Sequence, residues 1–175
     1  MEFKSDIKEI LIDEDTISKT VKKLGREITD DYKDRELVVV GILKGAIIFL
    51  SDLIREIDTS LTLDFISASS YGMSTESSGV VKFLKDLDTN IEGKHILIVE
   101  DIVDTGLTLD YLIDNLRARK PASIKTCTLL DKPSRREVEV PIDYKGLDIP
   151  DEFVVGYGLD YSEYYRNLPY VAVLK

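Results

Sequence analysis

Apolar positions along the chain keep two rhythms that alternate. Ile17, Val21, Leu24 and Ile28 recur at helical spacing, and Asp13 or Asp15 can cap the start of that helix by accepting from first-turn amides. Residues 36–43 (ELVVVGIL) form a short β-branched run, the pattern of a strand covered on both faces. Lys44-Gly45 breaks it, and Ile47, Leu50, Ile54 and Ile57 return to helical spacing. Leu61, Leu63 and Phe65 alternate with polar residues, which predicts another strand. Residues 67–79 (SASSYGMSTESSG) are serine-rich with little apolar content and read as a long mobile loop, with residues 80–84 as a returning strand. Residues 95–99 (HILIV) predict a buried strand ending in Glu100-Asp101. Leu109, Leu112, Ile113 and Leu116 mark the next helix. Residues 124–130 are a strand closed by Asp131-Lys132-Pro133, and residues 153–155 and 170–174 are two short strands.

Strands alternating with helices predict an α/β fold with a central parallel β-sheet flanked by helices. Ligands in such sheets bind beyond the carboxyl ends of the strands. Four segments reach that edge: residues 43–45, residues 100–108, Asp131-Lys132, and the stretch after Val155. No repeat or linker divides the chain, so residues 1–175 read as one domain.

Composition narrows the chemistry. With 43% apolar and 32% charged residues, 175 residues suit a single globular core. A net charge of −10 repels phosphate backbones and disfavours generic nucleic-acid binding. One cysteine, Cys127, and one histidine, His95, exclude an intrachain disulfide framework and a Cys/His zinc site. A metal here needs carboxylate ligands, which points to magnesium. No apolar run approaches the roughly 20 residues of a membrane span, and the first residues lack a signal-peptide core. The reading is a protein of the reducing cytoplasm without membrane contact.

The sharpest segment is residues 99–108, VEDIVDTGLT. Adjacent carboxylates at a strand end are followed by Asp104, then by Thr105, Gly106 and Thr108 entering a helix. Gly106 permits a tight turn, and helix-start amides with two hydroxyls make a phosphate cradle. Carboxylates beside such a cradle suit ribose hydroxyls and magnesium, so a ligand with a sugar diol and a phosphate satisfies the whole run. The ordinary alternative is a polar strand terminus with Asp104 as a cap. The G-x-x-x-x-G-K-[ST] loop is absent, and a receiver-domain acidic pair belongs near an amino terminus rather than mid-chain.

VEDIVDTGLTL resembles the phosphoribosyl-pyrophosphate motif of the type I phosphoribosyltransferases. The other motifs resemble its bacterial members acting on hypoxanthine and guanine. The likeness runs from Val38 to Leu174. It implies the family's sheet with a small hood built from the amino-terminal residues and part of the carboxyl end. It implies transfer of phosphoribosyl from 5-phosphoribosyl 1-pyrophosphate to hypoxanthine and/or guanine, giving IMP or GMP and pyrophosphate, with Mg2+. It also implies a homo-oligomer, dimer or tetramer.

Residue by residue, the resemblance puts Glu100 and Asp101 at the ribose diol and its magnesium. Asp104 becomes the general base near purine N7, and Asp104, Thr105, Gly106, Leu107 and Thr108 the 5′-phosphate loop. Leu43-Lys44-Gly45 matches the pyrophosphate loop, whose Leu–Lys peptide is often cis in the family. Arg166 also matches a pyrophosphate contact. Lys132 matches the donor to the purine's exocyclic oxygen, Phe153 the stacking ring, and the Val154 backbone the base edge. Asp160 falls with this purine-side group and matches the second metal-side carboxylate. Ser70-Tyr71 matches the mobile lid. Each has an ordinary alternative: a helix-start turn at Lys44-Gly45, a solvated Lys132, a core Phe153-Val154, a surface loop at Ser70-Tyr71. His95 and Cys127 read as strand residues without a role in the chemistry. Tyr157, Tyr161, Tyr164 and Tyr165 suit either a hood or a subunit interface. Two other functions remain to be weighed. A ligand-sensing nucleic-acid regulator would need a basic face, which the charge opposes. A pyrimidine or orotate transferase would lack the Lys132, Phe153 and Asp160 segments.

Overall fold

The computed structural model describes residues 6–70 and 81–175. Strand β1 (Ile7–Ile12) precedes helix α1 (Glu14–Asp31). Asp13 is the cap, accepting from Thr16 N at 2.8 Å, and Asp15 lies within the first turn. The stripe Ile17, Val21, Leu24 and Ile28 is buried as its spacing predicts. Strand β2 (Leu37–Leu43) is covered on both faces: Leu37 and Val39 join one core cluster, Val38, Val40 and Ile42 the other. Helix α2 (Ile47–Glu56) buries Phe49, Leu50 and Leu53; of the expected stripe, Leu50 and Ile57 are buried and Ile54 packs against the core, while Ile47 is 37% exposed. Phe49 offers the larger apolar surface and turns the helix toward the core.

Strand β3 (Leu61–Ser70) is longer than expected, because residues 67–70 pair with β4 (Val81–Lys85) instead of opening the serine-rich loop. Its alternation is real, but Leu63 is exposed while Asp64 and Ile66 are buried. Strand β5 (His95–Val103) does not end at Glu100: it pairs with β6 (Ser123–Asp131) as far as Val103 opposite Asp131. Helix α3 (Leu107–Arg117) lies between them with Leu109, Leu112, Ile113 and Leu116 buried. A 3-10 turn (Pro133–Arg135) and strands β7 (Tyr144–Asp148), β8 (Val154–Val155) and β9 (Val171–Leu174) complete the chain.

The main sheet has the order β4-β3-β2-β5-β6-β7, parallel except for β4. Helix α2 between β2 and β3 and helix α3 between β5 and β6 are the crossovers that return those strands in the same direction. A second, antiparallel sheet has the order β1-β9-β8. It ties the two ends of the chain together, with Ile7 opposite Leu174 and Lys175 N donating to Asp6 O at 2.9 Å. Neither β1 nor β7 is legible in the hydrophobic pattern. IKEILI carries charges mid-strand and pairs with β9 at the other end of the chain, and YKGLD carries a glycine at the edge of the main sheet. No helix of the described residues is long and apolar enough to cross a membrane.

Candidate active site

The carboxyl ends of β2 and β5 and the start of α3 enclose a cleft of about 280 Å³. Glu100, Asp101, Asp104, Thr105, Gly106 and Thr108 line it together with Leu43 and Ala68. Most of the segment singled out in the sequence therefore faces one space. Gly106 takes φ +88°, and a Cβ there would meet the Val138 carbonyl, so glycine is required. As the N-cap of α3 it brings no capping side chain. The Leu107 amide makes only a long 3.4 Å bond to Thr105 Oγ1, and helix-start N–H groups of this kind suit an anion.

Glu100 and Asp101 sit side by side inside β5, and Asp101 is 8% exposed. Burial, then the neighbouring charge of Asp101, holds the Glu100 carboxyl well above the usual range. Burial raises Asp101 as well, against hydrogen bonds that include the Ile102 amide at 2.9 Å and the nearby charge of Arg166. Two adjacent carboxylates, one buried and one half-buried, that resist sharing their charge are a demand for cations or hydroxyl donors. Among the described residues no three acidic, histidine or cysteine side chains converge on one point. The pair thus fits a hard cation that draws its remaining oxygens from substrate and water, as magnesium does.

The pyrophosphate-loop match lies against this pair. The Leu43–Lys44 peptide is cis. A Cβ on Gly45 would strike the Asp101 carboxylate, and one on Gly158 would strike the Gly45 carbonyl. Lys44 Nζ is 2.9 Å from Glu163 Oε2. Arg166 reaches Asp160 at 2.8 Å and Glu163 at 3.5 Å, and donates to Gly158 O at 2.8 Å. Asp160 also accepts from Glu163 N, so it is engaged in this turn and does not join Glu100 and Asp101 as a third converging carboxylate. Backbone at Tyr157, Ser162, Glu163 and Tyr165 has positive φ, a density of strain that marks a segment held for its site.

At the end of β6, Lys132 is 7% exposed, so the ordinary reading of a solvated lysine fails. Its amide donates to Val103 O at 2.9 Å, which fixes it beside the acidic loop. Phe153 is 58% exposed, with its ring edge to face against Tyr161 at 5.8 Å, so it is not a core residue; Val154 is. Ser70 ends β3, and Tyr71 falls outside the described residues. Tyr157 donates to Asp52 at 2.6 Å and Tyr165 to Asp6 at 2.9 Å, whereas Tyr161 and Tyr164 are exposed. His95 pairs with Ser123 Oγ at 2.7 Å through Nδ1, and Cys127 is fully buried, its thiol pKa raised by that burial.

Two arginines missed in the sequence also reach this region. Arg136 pairs with buried Asp131, and its side chain packs beneath Gly106. Glu137 and Val138 donate their amides to Thr105 O, bracing residues 104–108 from behind. Arg135 Nε lies 3.0 Å from Asp104 Oδ1. Only the density of charge in KPSRR hinted at either. A larger cavity of about 490 Å³ beside Ile17, Ile48 and Pro169 shares Arg166 but none of the acidic loop.

A cleft joining an acidic pair, a glycine turn at a helix start and a lysine-bearing loop at the ends of parallel strands defines a class, and the comparisons agree with it. Residues 9–162 match the model of the phosphoribosyl transferase domain, and the chain belongs to that family. It is 58% identical over 173 residues to a hypoxanthine-guanine phosphoribosyltransferase of Bacillus subtilis, covering 99% of this chain and 96% of that protein. A hypoxanthine phosphoribosyltransferase crystal structure from Staphylococcus aureus superposes with a TM-score of 0.96 at 51% identity, covering 100% of this chain and 95% of the other. The chain is also 53% identical to part of the Listeria monocytogenes bifunctional protein TilS/HprT, covering 98% of this chain and 26% of that protein.

Proposed function

We propose that the chain is a purine-salvage enzyme that moves phosphoribosyl from 5-phosphoribosyl 1-pyrophosphate to hypoxanthine or guanine. The observation that carries this reading is the single cleft in which Glu100, Asp101, Asp104 and the Thr105–Thr108 turn meet, with Gly45 against Asp101. Glu100 and Asp101 accept from the ribose hydroxyls and would hold magnesium, which when bound offsets the charge of the departing pyrophosphate. The amides and hydroxyls of residues 104–108 hold the 5′-phosphate. Lys44 and Arg166 exchange their contacts with Glu163 for the leaving pyrophosphate. The purine N9 bonds to the ribose C1′ as the C1′–O bond breaks, and Asp104 takes the N7 proton. Lys132 donates to the 6-oxygen, Phe153 stacks on the ring, the Val154 backbone follows the base edge, and Asp160 closes the purine side. The β1-β9-β8 sheet serves as the hood, and Ser70-Tyr71 as a lid that excludes water. A reducing cytoplasm suits the one buried free cysteine, and the exposed Ile10, Leu84, Tyr161 and Tyr164 supply surface for a homo-oligomer.

Steady-state kinetics on three variants test the roles. Asp104→Asn keeps size but not proton acceptance, so kcat falls about 10²–10⁴-fold with phosphoribosyl pyrophosphate still bound. Glu100→Gln and Asp101→Asn raise the KM for phosphoribosyl pyrophosphate, and a chelator abolishes turnover. Near-normal kcat in Asp104→Asn would reduce Asp104 to a cap on the turn. Full activity without divalent cation would overturn the roles of Glu100 and Asp101.

A further inference from the structure

We infer that Arg135 sets the affinity for the purine by competing with it for Asp104. This rests on the reading of Asp104 as the acceptor of the base's proton. Arg135 closes the 3-10 turn that follows Lys132, and its guanidinium spans two carboxylates. Nε is 3.0 Å from Asp104 Oδ1, and Nη1 is 3.6 Å from Asp151 Oδ1. Asp104 Oδ1 is itself buried without an aligned hydrogen bond from the described residues. Arg135 therefore covers that oxygen by charge at a poor donor angle, the weaker of the two ways to hold it.

The place of this contact gives it a function. Asp104 lies on the acidic loop, and Asp151 stands two residues before Phe153. The guanidinium thus reaches from the proton acceptor to the segment carrying the proposed stacking ring. A purine N7–H that donates to Asp104 Oδ1 must reach a buried oxygen against which Nε now lies. Both members of the pair are about half exposed, 47% for Arg135 and 42% for Asp104, so parting them is easy. Asp151, 56% exposed, offers the displaced guanidinium a second carboxylate within reach. Arg136, the next residue, turns away into Asp131 and takes no part. Arg135 is accordingly a positioning residue: it holds Asp104 until the base arrives and hands it over.

Kinetics at saturating phosphoribosyl pyrophosphate, with hypoxanthine and guanine varied, decide the matter. Arg135→Ala lowers the KM for both bases about two- to fivefold, the range an exposed ion pair supports, and leaves kcat within about twofold. Asp151→Asn withdraws the second acceptor and raises the KM by a similar factor. The double variant matches Arg135→Ala, because Asp151 acts only through Arg135. An unchanged KM in Arg135→Ala overturns the competition, and so does a fall in kcat, which would mean that the guanidinium stays and assists. Asp104→Asn separates this outcome from failure of the underlying reading. Normal kcat there removes the base role itself, whereas a crippled Asp104→Asn beside an unaltered Arg135→Ala removes only the competition.

Discussion

Lys132 concentrates the residue-scale question, because a buried lysine is costly unless a partner repays its lost hydration. It is 7% exposed, beside Val103 and one strand from the acidic loop, and the proposed function makes a 6-oxopurine its partner. Lys132→Ala leaves that oxygen unpaired in a dry pocket, and about 1–3 kcal/mol of transition-state binding should go with it. Measured kcat/KM falls about 5- to 150-fold for hypoxanthine and guanine, and the preference over adenine relaxes. An unchanged purine preference would assign the lysine to the fold alone. At the same scale, Gly45 and Gly106 show why two small residues are fixed: one lets the Asp101 carboxylate lie against the Lys44-Gly45 turn, the other lets residues 136–138 close on the start of α3.

Among the elements, the β3–β4 hairpin joins stability to the site. β3 places Ser67 opposite Leu43, so the hairpin rises beside the pyrophosphate loop. Its root is pinned by Asp64, which is 4% exposed. Burial pushes that carboxyl up, but the amides of Phe65 at 2.7 Å, Thr89 at 2.8 Å and Asp88 at 3.0 Å, with Lys85 at 3.6 Å, outweigh it and lower its pKa. A folded-state pKa below the unfolded one, about 3.9, means that ionised Asp64 stabilises the fold above that value. The contribution is lost as pH falls through the lowered folded-state pKa. Asp64→Asn should cost about 1–3 kcal/mol in urea unfolding at pH 7. It should also flatten the decline of stability below about pH 4. Equal stability of the two proteins at pH 7 would show that the amides, not the charge, set the root.

Over the whole molecule, the charge balance separates the enzyme from a nucleic-acid-binding regulator built on the same loop. With 33 acidic against 23 basic residues, the chain repels phosphate backbones. Binding to DNA or RNA at physiological salt is expected to be weak and independent of sequence, as measured by fluorescence anisotropy against several duplexes and single strands. Tight, sequence-specific binding by the isolated chain would require a second activity.

Local spacing by itself determined the helical stripe of α1, the buried runs of β2 and β5, and the acidic loop, because each depends on neighbours a few residues away. It also determined the parallel sheet, since short crossovers leave little choice of strand direction. Only tertiary structure decided β1, whose partner β9 lies at the other end of the chain, and β7, an edge strand whose short YKGLD run carries no apolar pattern of its own. It also decided which face of α2 is buried and that Glu100 and Asp101 stand inside a strand rather than at its end. The two arginines were decided in the same way. Both occur in KPSRR, yet Arg136 folds under Gly106 while Arg135 faces Asp104. Sequence sets how many charges a segment carries; the carboxylates each one meets are contributed by strands and loops brought together only when the chain folds.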